Sequence, residues 1–284
     1  MILYGKPVVE SLEQETTLWI NNNLPNGCYV WFLLISDDYA SSVYVTKKQQ
    51  FASRCGLWSF LYQGTDAILN DVLQKINEWN TDAACVWIVV QLPVHVWLRS
   101  DLPKILSSVD PKKDVDGLWW IIFWQSLTGI VNFLPATPKA TFALLDFYGF
   151  GDLNSKTVVM IWQSNLMWKP FVLEAMRRWA TVFSANSNTP KELLQEMCLK
   201  SDYIISATWV VDLLTPSFFD FKNLTWKIII DVGYGIKNGK ACGDTDWQWL
   251  AALWATITPV PGGVGPVTVA CLFHNITILG SIDW

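Results

Sequence analysis

Four polar side chains in the first half of the sequence have the types and spacing needed for acid–base chemistry on an organic substrate. Tyr44 and Lys48 are four residues apart, so on a helix both would point from the same face. A lysine in a partly dry site has a lowered pKa and can exchange protons near neutral pH, and a neighbouring phenol can hydrogen-bond to it. Taken alone, this spacing is more typical of a solvated helix face.

The third polar side chain, Gln91, ends a predicted buried strand within the motif Val90-Gln91-Leu92-Pro93. Open α/β sheets place their ligands at the carboxyl ends of strands, and a glutamine amide offers both a donor and an acceptor. In isolation the motif is more typical of a strand that simply ends at a proline.

The fourth, Asp116, is separated by one residue from Asp114 in the motif Lys113-Asp114-Val115-Asp116-Gly117. Two such carboxylates could bind a metal ion, pair with a base, or accept two parallel N–H bonds from a ring nitrogen and its exocyclic amine. The last arrangement suits a pterin. A polar turn closed by Gly117 explains the same residues without a ligand.

The stretch Thr258–Thr268 contains three prolines and three glycines within eight residues and no charged side chain. Proline lacks a backbone donor and glycine loses much backbone freedom on folding, which excludes an ordinary helix or a central strand. The stretch predicts a shaped turn before a packed helix. The turn could contact a ligand or be purely structural.

The elements that must position these residues follow from changes in apolar period. Buried strands are predicted at Cys28–Ile35, Trp58–Gln63 and Val86–Val90, with helical patterns between them, which indicates βαβ units and a parallel sheet. After charged and proline-rich breaks, the same alternation resumes from Val158. The sequence predicts two α/β domains flanking a cleft, the second a Rossmann-like doubly wound parallel sheet. The expected boundaries are residues 1–136 and 137–263, with a C-terminal helix at about 264–284 that packs back onto the first domain.

Composition narrows the class of protein. Of the 284 residues, 51% are hydrophobic and 16% are charged, which excludes a disordered chain. The net charge of -5, without a dense basic patch, argues against a nucleic-acid partner, and no segment is a convincing membrane span. Six widely spaced cysteines indicate reduced thiols in the cytoplasm, and two histidines argue against a His-rich metal site.

Together, the motifs resemble the bifunctional methylenetetrahydrofolate dehydrogenase/cyclohydrolase family in their order and approximate spacing, over nearly the whole chain. Further blocks of the family pattern are Leu3–Lys6, Thr137–Lys139, Ile230–Gly233 and Gly243–Asp246. The resemblance implies oxidation of 5,10-methylenetetrahydrofolate with NADP and hydrolysis of the methenyl product to 10-formyltetrahydrofolate, in a cytoplasmic homodimer.

The resemblance also implies roles for the polar residues. Lys48 would be the acid/base of the hydrolytic step, with Tyr44 beside it. Gln91 would hold and tune Lys48, and Asp116 would anchor the pterin. The remaining positions implied to shape the folate pocket are Val90, Leu92, Pro261, Gly262, Gly263, Val264 and Gly265.

The cofactor half departs from the family. The family pattern Gly-Arg-Ser-x-x-Val-Gly-x-Pro is replaced by Trp162-Gln163-Ser164-Asn165-Leu166-Met167-Trp168-Lys169-Pro170. Tryptophan takes a positive φ only at a cost of about 1–3 kcal/mol, and its bulk would crowd a pyrophosphate. Basic side chains are also missing at Gln163 and within Ala185–Thr189, which weakens the case for NADP over NAD. The expected cofactor contacts are Trp162, Gln163, Ser164, Ser187 and Tyr234.

Tryptophan is also unusually frequent, at 18 residues. Including the two positions already named, it occupies five family glycine positions, which are Trp87, Trp124, Trp162, Trp168 and Trp209. Because glycine and tryptophan codons can differ by one base, biased mutation, a decoding difference and deliberate redesign all explain the pattern. Two functional alternatives follow: a cyclohydrolase with weak or lost dehydrogenase activity, and a non-catalytic folate-binding remnant.

Overall fold

The structure is a computed structural model that describes residues 1–118, 124–126, 128–129, 133–164, 167–220 and 224–280. The chain forms two compact units. We call residues 11–134 and 269–284 the three-strand unit, and residues 1–10 and 135–268 the five-strand unit. Within the described ranges, no helix has both the length and the apolar character needed to cross a bilayer. The domain boundaries expected from the sequence stay predictions.

The three-strand unit is built on the parallel strands β1 (Tyr29–Leu34), β2 (Trp58–Gln63) and β3 (Cys85–Gln91) in the order β2-β1-β3. The register pairs Leu34 with both Gln63 and Gln91, so all three strands end at the same edge. This edge is where the first predicted polar residues should converge.

Helices connect and cover these strands. The crossover helices are α2 (Tyr39–Arg54) and α3 (Leu69–Thr81), followed by the shorter α4 (Leu102–Ser108). The long helices α1 (Gly5–Asn23) and α9 (Val264–Leu279) each begin in the five-strand unit and continue into this one. Phe51 of α2 stacks on Phe273 of α9 with 5.2 Å between ring centroids. The predicted C-terminal helix ends at Leu279. Residues 281–284, which the prediction included, lie outside the described ranges.

The five-strand unit contains the strands β4 (Thr157–Ile161), β5 (Thr181–Ala185), β6 (Tyr203–Ser206), β7 (Ile228–Asp231) and β10 (Thr256–Ile257). They form a fully parallel sheet with the order β10-β7-β6-β4-β5. Its helices are α5 (Ala136–Phe147), α6 (Trp168–Arg177), α7 (Lys191–Lys200) and α8 (Trp247–Ala252). Because the chain runs from β4 to one side and then returns to the other, the strand order reverses between β4 and β6.

The expected α/β architecture, with a Rossmann-like parallel sheet, is confirmed. Two elements were not anticipated. Helix α1 has an irregular apolar pattern, so its sequence does not show the period of an amphipathic helix. The hairpin formed by β8 (Gly235–Lys237) and β9 (Lys240–Cys242) is short and turns at Asn238 and Gly239. Residues 1–10 group with the five-strand unit because Ile2 pairs with Ile257 of β10.

A buried carboxylate ties the end of β7 to the segment after β9. Asp231 is 1% exposed and accepts hydrogen bonds from the backbone N–H groups of Gly233, Asp244 and Thr245 and from the Thr245 hydroxyl. Asp244, also fully buried, accepts from the Ser206 hydroxyl at the end of β6. Two neighbouring acidic side chains thus fix the carboxyl edge of this sheet.

This arrangement predicts a pH-dependent stability. Burial raises the pKa of Asp231 from 3.8 to about 6, against the lowering effect of its Thr245 hydrogen bond. Because the folded pKa exceeds the unfolded one, the free energy of unfolding should fall as pH rises from about 4 to about 6, by on the order of 3 kcal/mol. In Asp231→Asn this slope should disappear in urea titrations, whereas Asp66→Asn, at an exposed position, should retain it. An unchanged slope in Asp231→Asn would contradict the assignment.

Candidate functional site

The central feature of the three-strand unit is a hydrogen bond between a lysine and a glutamine that come from adjacent elements. Lys48 Nζ donates to Gln91 Oε1 at 3.0 Å. Gln91, the last residue of β3, also donates from Nε2 to the carbonyl of Leu92 at 2.7 Å. This second bond fixes the amide orientation, because it leaves the oxygen facing the lysine. The predicted pairing of Lys48 with Gln91 is present in the structure.

The start of α2 is fixed to the end of β3, which sets where Lys48 can reach. Asp38 caps the helix by accepting hydrogen bonds at 2.7 Å from both the backbone N–H and the hydroxyl of Ser41. The same hydroxyl lies 3.4 Å from the carbonyl of Leu92. Ser41 and Lys48 are therefore both linked to the Gln91–Leu92 segment, about two helical turns apart on α2.

The motif Lys113–Gly117 divides into structural and candidate functional residues. Lys113 Nζ donates to three backbone carbonyls at 2.8–2.9 Å at the carboxyl end of α3, where a positive charge is stabilising. Asp114 is buried and accepts from the backbone N–H of Gly117. Gly117 has a φ of +66°, and a Cβ there would collide with the ring of Phe133. These contacts leave Asp116 as the carboxylate available for a ligand.

The backbone beside Asp116 is also held from the C-terminal helix. The buried amide of Asn275 donates to the carbonyl of Val115 at 3.1 Å and to that of Leu134 at 3.0 Å. Asn275 was not anticipated, because a polar residue within an apolar helix gives no indication of its partner in sequence.

Lys48 and Asp116 influence each other electrostatically. Burial lowers the pKa of Lys48, and the negative charge of Asp116 partly offsets this. Burial likewise raises the pKa of Asp116, and the positive charge of Lys48 opposes that change. Desolvation is the larger effect for both groups, so the neutral amine of Lys48 is more accessible than that of a solvated lysine. The arrangement therefore favours a lysine that can act as a proton acceptor.

The other residues predicted around this site lie in two places. Tyr44 is one helical turn before Lys48 on α2. The ammonium of Lys47 lies 5.5 Å from the centroid of the Tyr44 ring. Val90 is buried in β3, and Leu92 follows Gln91. The segment Pro261–Gly265 belongs to the five-strand unit, where the carbonyl of Gly262 accepts from the N–H of Gly5 at 2.8 Å. That Pro261, Gly262, Gly263, Val264 and Gly265 line the same pocket as Lys48 stays a prediction.

The predicted cofactor residues follow strands of the five-strand unit. Trp162 directly follows β4, has a φ of +100° and is 41% exposed. The Ser164 hydroxyl accepts from the backbone N–H of Met167 at 3.2 Å, close to the start of α6. Residues 165–166 lie outside the described ranges. Ser187 is exposed after β5, and Tyr234, which follows β7, has its ring centroid 6.4 Å from that of Trp209.

A small polar cluster joins the segment after β4 to β5. The Ser184 hydroxyl accepts from Gln163 Nε2 at 2.9 Å and from the Trp168 indole N–H at 2.6 Å. Asn186 Nδ2 donates to Gln163 Oε1 at 3.3 Å. Ser184 and Asn186 were not predicted as site residues, although both lie at the end of a predicted strand.

The backbone of this edge fits a dinucleotide better than its side chains do. Ligands of open α/β sheets bind where the strand order reverses, which here lies between β4 and β6. The positive φ at Trp162 is the conformation that lets a glycine turn tightly toward a pyrophosphate. A tryptophan side chain at that position is far bulkier than the glycine that such a turn favours. Among the described residues, no group of three or more His, Cys, Asp or Glu side chains could hold a metal ion.

Comparison with known families and structures agrees with this geometry. Residues 3–116 match the catalytic domain, and residues 135–281 the NAD(P)-binding domain, of tetrahydrofolate dehydrogenase/cyclohydrolase. The bifunctional protein FolD of Geobacillus kaustophilus is 36% identical over 247 residues, covering 86% of this chain and 83% of that protein. The FolD of Geobacillus thermodenitrificans is 34% identical over 273 residues, covering 95% and 92%.

Solved structures show the same similarity. The bifunctional FolD of Campylobacter jejuni has a TM-score of 0.87 and 31% identity, covering 99% of this chain and 98% of that one. The Trypanosoma brucei enzyme, solved with NADP and an inhibitor, has a TM-score of 0.87 and 26% identity, covering 98% and 96%. With both of its domain models matched over most of the sequence, this chain belongs to the tetrahydrofolate dehydrogenase/cyclohydrolase family.

Proposed function

We propose that this protein oxidises 5,10-methylenetetrahydrofolate with NADP and hydrolyses the methenyl product to 10-formyltetrahydrofolate, in one-carbon metabolism. The observation that carries the proposal is the partly buried Lys48, oriented by Gln91 and coupled to the charge of Asp116. Membership in the family supports both activities. It favours the bifunctional enzyme over a cyclohydrolase without dehydrogenase activity and over a binding-only remnant.

In the hydrolytic step, the neutral amine of Lys48 accepts a proton from the attacking water. The hydroxyl adds to the methenyl carbon. The bond from that carbon to N5 of the folate then breaks as the hydroxyl gives up its proton and becomes the formyl carbonyl, and N5 takes a proton. Gln91 keeps Nζ at a fixed position, because its own amide is anchored on Leu92. A general base of this kind contributes about 10²–10⁴-fold to a rate. Tyr44, on the same face of α2, would border the reacting ring.

Asp116 is proposed to hold the pterin. Its carboxylate can accept two parallel N–H bonds from a ring nitrogen and the exocyclic amine, which sets the ring orientation relative to Lys48. Val90 and Leu92 would supply the apolar wall beside Gln91. The glycine-rich segment Pro261–Gly265 is proposed to complete the pocket. Because glycine has no side chain, a ligand can approach the backbone of this segment closely.

The five-strand unit would bind NADP, which accepts the hydride lost from the methylene carbon. Gln163, Ser164 and Ser187 supply polar groups at its carboxyl edge, with Tyr234 beside them. Trp162 is in the predicted set by position, but its indole does not suit the phosphates, so we assign it no contact with the cofactor.

We further propose that the protein acts as a cytoplasmic homodimer, as the family resemblance implies. The position of β5 at the end of the strand order supports pairing of this strand across a two-fold axis. Six free thiols support a reducing compartment. Sedimentation equilibrium should give twice the mass of the chain. A monomeric parent protein would contradict the dimer.

Replacing Lys48 tests the hydrolytic role directly. Lys48→Met should lower kcat for methenyltetrahydrofolate hydrolysis by about 10²–10⁴-fold, because the proton acceptor is lost while the stem volume is kept. The measurement is the loss of methenyl absorbance, corrected for the uncatalysed reaction. Lys47→Met is the matched control, since it removes an exposed ammonium from the same helix and should leave the rate unchanged. Equal rates in the two variants would refute the assignment.

Asp116→Asn should move the pH dependence of hydrolysis in a defined direction. The negative charge of Asp116 raises the pKa of Lys48, so its removal lowers that pKa further. Because the active form is the neutral amine, the acid limb of kcat/KM should shift to lower pH, whatever the loss in substrate affinity. A limb that stays in place, or moves to higher pH, would show that the two groups are not coupled.

A further inference from the structure

Two exposed tryptophans terminate helices in a geometry that normally belongs to glycine. Trp179 follows α6 with a φ of +62°, and Trp254 follows α8 with a φ of +69°. In each case the tryptophan N–H bonds to the carbonyl three residues back, and the next N–H bonds to the carbonyl five residues back, at 2.9–3.3 Å. This is the Schellman motif, in which the left-handed residue is usually glycine.

The same molecule contains two helix ends that have this motif with glycine. Gly56 ends α2 at a φ of +80°, and Gly149 ends α5 at a φ of +78°. Both repeat the pair of backbone bonds, at 2.7–3.1 Å. No heavy atom lies within 4 Å of a Cβ built on either glycine, so a side chain there would be disfavoured by backbone conformation alone. The tryptophan and glycine helix ends therefore share the positive φ and the pair of backbone hydrogen bonds.

Two more tryptophans with positive φ lie at strand ends. Trp162 follows β4, and Trp209, with a φ of +62°, follows β6. These are the two strands between which the sheet order reverses, and the N–H of Ala207 bonds to the carbonyl of Ile161 across them. Both indoles are substantially exposed, at 41% and 66%. Both residues follow strands at the edge where open α/β sheets bind their ligands.

The identity of the other residues with positive φ makes these four exceptional. Apart from glycine, the remaining left-handed positions in the described chain are Ser155, Asp212, Asp220 and Asn238. Asp and Asn tolerate the conformation because their short polar groups bond to nearby backbone, whereas a bulky aromatic residue has no such compensation. Four tryptophans thus share a backbone conformation that does not suit them.

We propose that positions 162, 179, 209 and 254 are glycine positions, and that the enzyme active with NADP carries glycine at 162 and 209. The inference rests on the proposed function for its second part. Glycine at 162 and 209 removes two indoles from the dinucleotide crevice and relieves the strain of two left-handed residues. Glycine at 179 and 254 relieves the same strain at two helix ends that contain none of the predicted cofactor residues.

The two pairs permit a controlled experiment on the full chain. Trp162→Gly/Trp209→Gly should bind NADP about tenfold or more tightly by isothermal calorimetry, a gain of about 1.4 kcal/mol. Trp179→Gly/Trp254→Gly should leave the dissociation constant for NADP unchanged. Each of the four single variants should raise Tm by about 2–4 °C, since each removes the strain of a left-handed tryptophan. The reciprocal variant Gly149→Trp should lower Tm by a similar amount.

The outcomes separate the proposal from the proposed function. Unchanged Tm in all four single variants, or an equal effect of both pairs on NADP binding, would overturn the proposal. NADP-dependent turnover by the parent chain equal to that of the strand-end pair would also overturn it. The hydrolytic step is proposed for Lys48, Gln91 and Asp116, none of which these variants alter, so the absence of methenyltetrahydrofolate hydrolysis in every variant would instead refute the proposed function.

Peptide masses from the naturally produced enzyme give an independent test. Peptides that span 162 and 209 should each be lighter, by the mass difference between tryptophan and glycine, than the printed sequence requires. Tryptophan in these peptides, from an enzyme that turns over NADP, would overturn the proposal.

Discussion

The structure depends on one constraint: parallel strands deliver their carboxyl ends to a common edge. In the three-strand unit, the register of β1 with β3 brings Gln91 to that edge, and the capped start of α2 brings Lys48 to it. In the five-strand unit, the same constraint gathers Ser206, Asp231 and the residues after β4. Both candidate sites are consequences of where strands stop, since the helices that follow them supply the remaining groups.

The sequence predicts those features that depend on the period of apolar residues and on short motifs. The strand Trp58–Gln63 and the pairing of Lys48 with Gln91 agree with the structure, because apolar runs and residue order carry that information. It could not assign Lys113, whose ammonium caps a helix far away in sequence, or Asn275, whose partners lie more than a hundred residues distant. Such contacts depend on tertiary neighbours that no local pattern encodes.

The departures from family pattern are informative for a different reason. A substitution read in sequence suggests an altered site, yet the backbone at Trp162 keeps the conformation that glycine would require. Backbone geometry is set by the whole fold, including the strand pairing and the bonds of the following helix, and a single side chain changes it little. The backbone conformation at position 162 therefore still indicates which residue type the fold favours there.

Gly117 restricts how the chain beside Asp116 can change. Its left-handed φ and the ring of Phe133 disfavour any side chain at that position, and the neighbouring Asp114 accepts a bond from its N–H. Asp116 is therefore attached to a point in the chain that has almost no mutational freedom. Substrate preference in descendants of this enzyme can therefore change more readily at other positions than at the proposed pterin anchor.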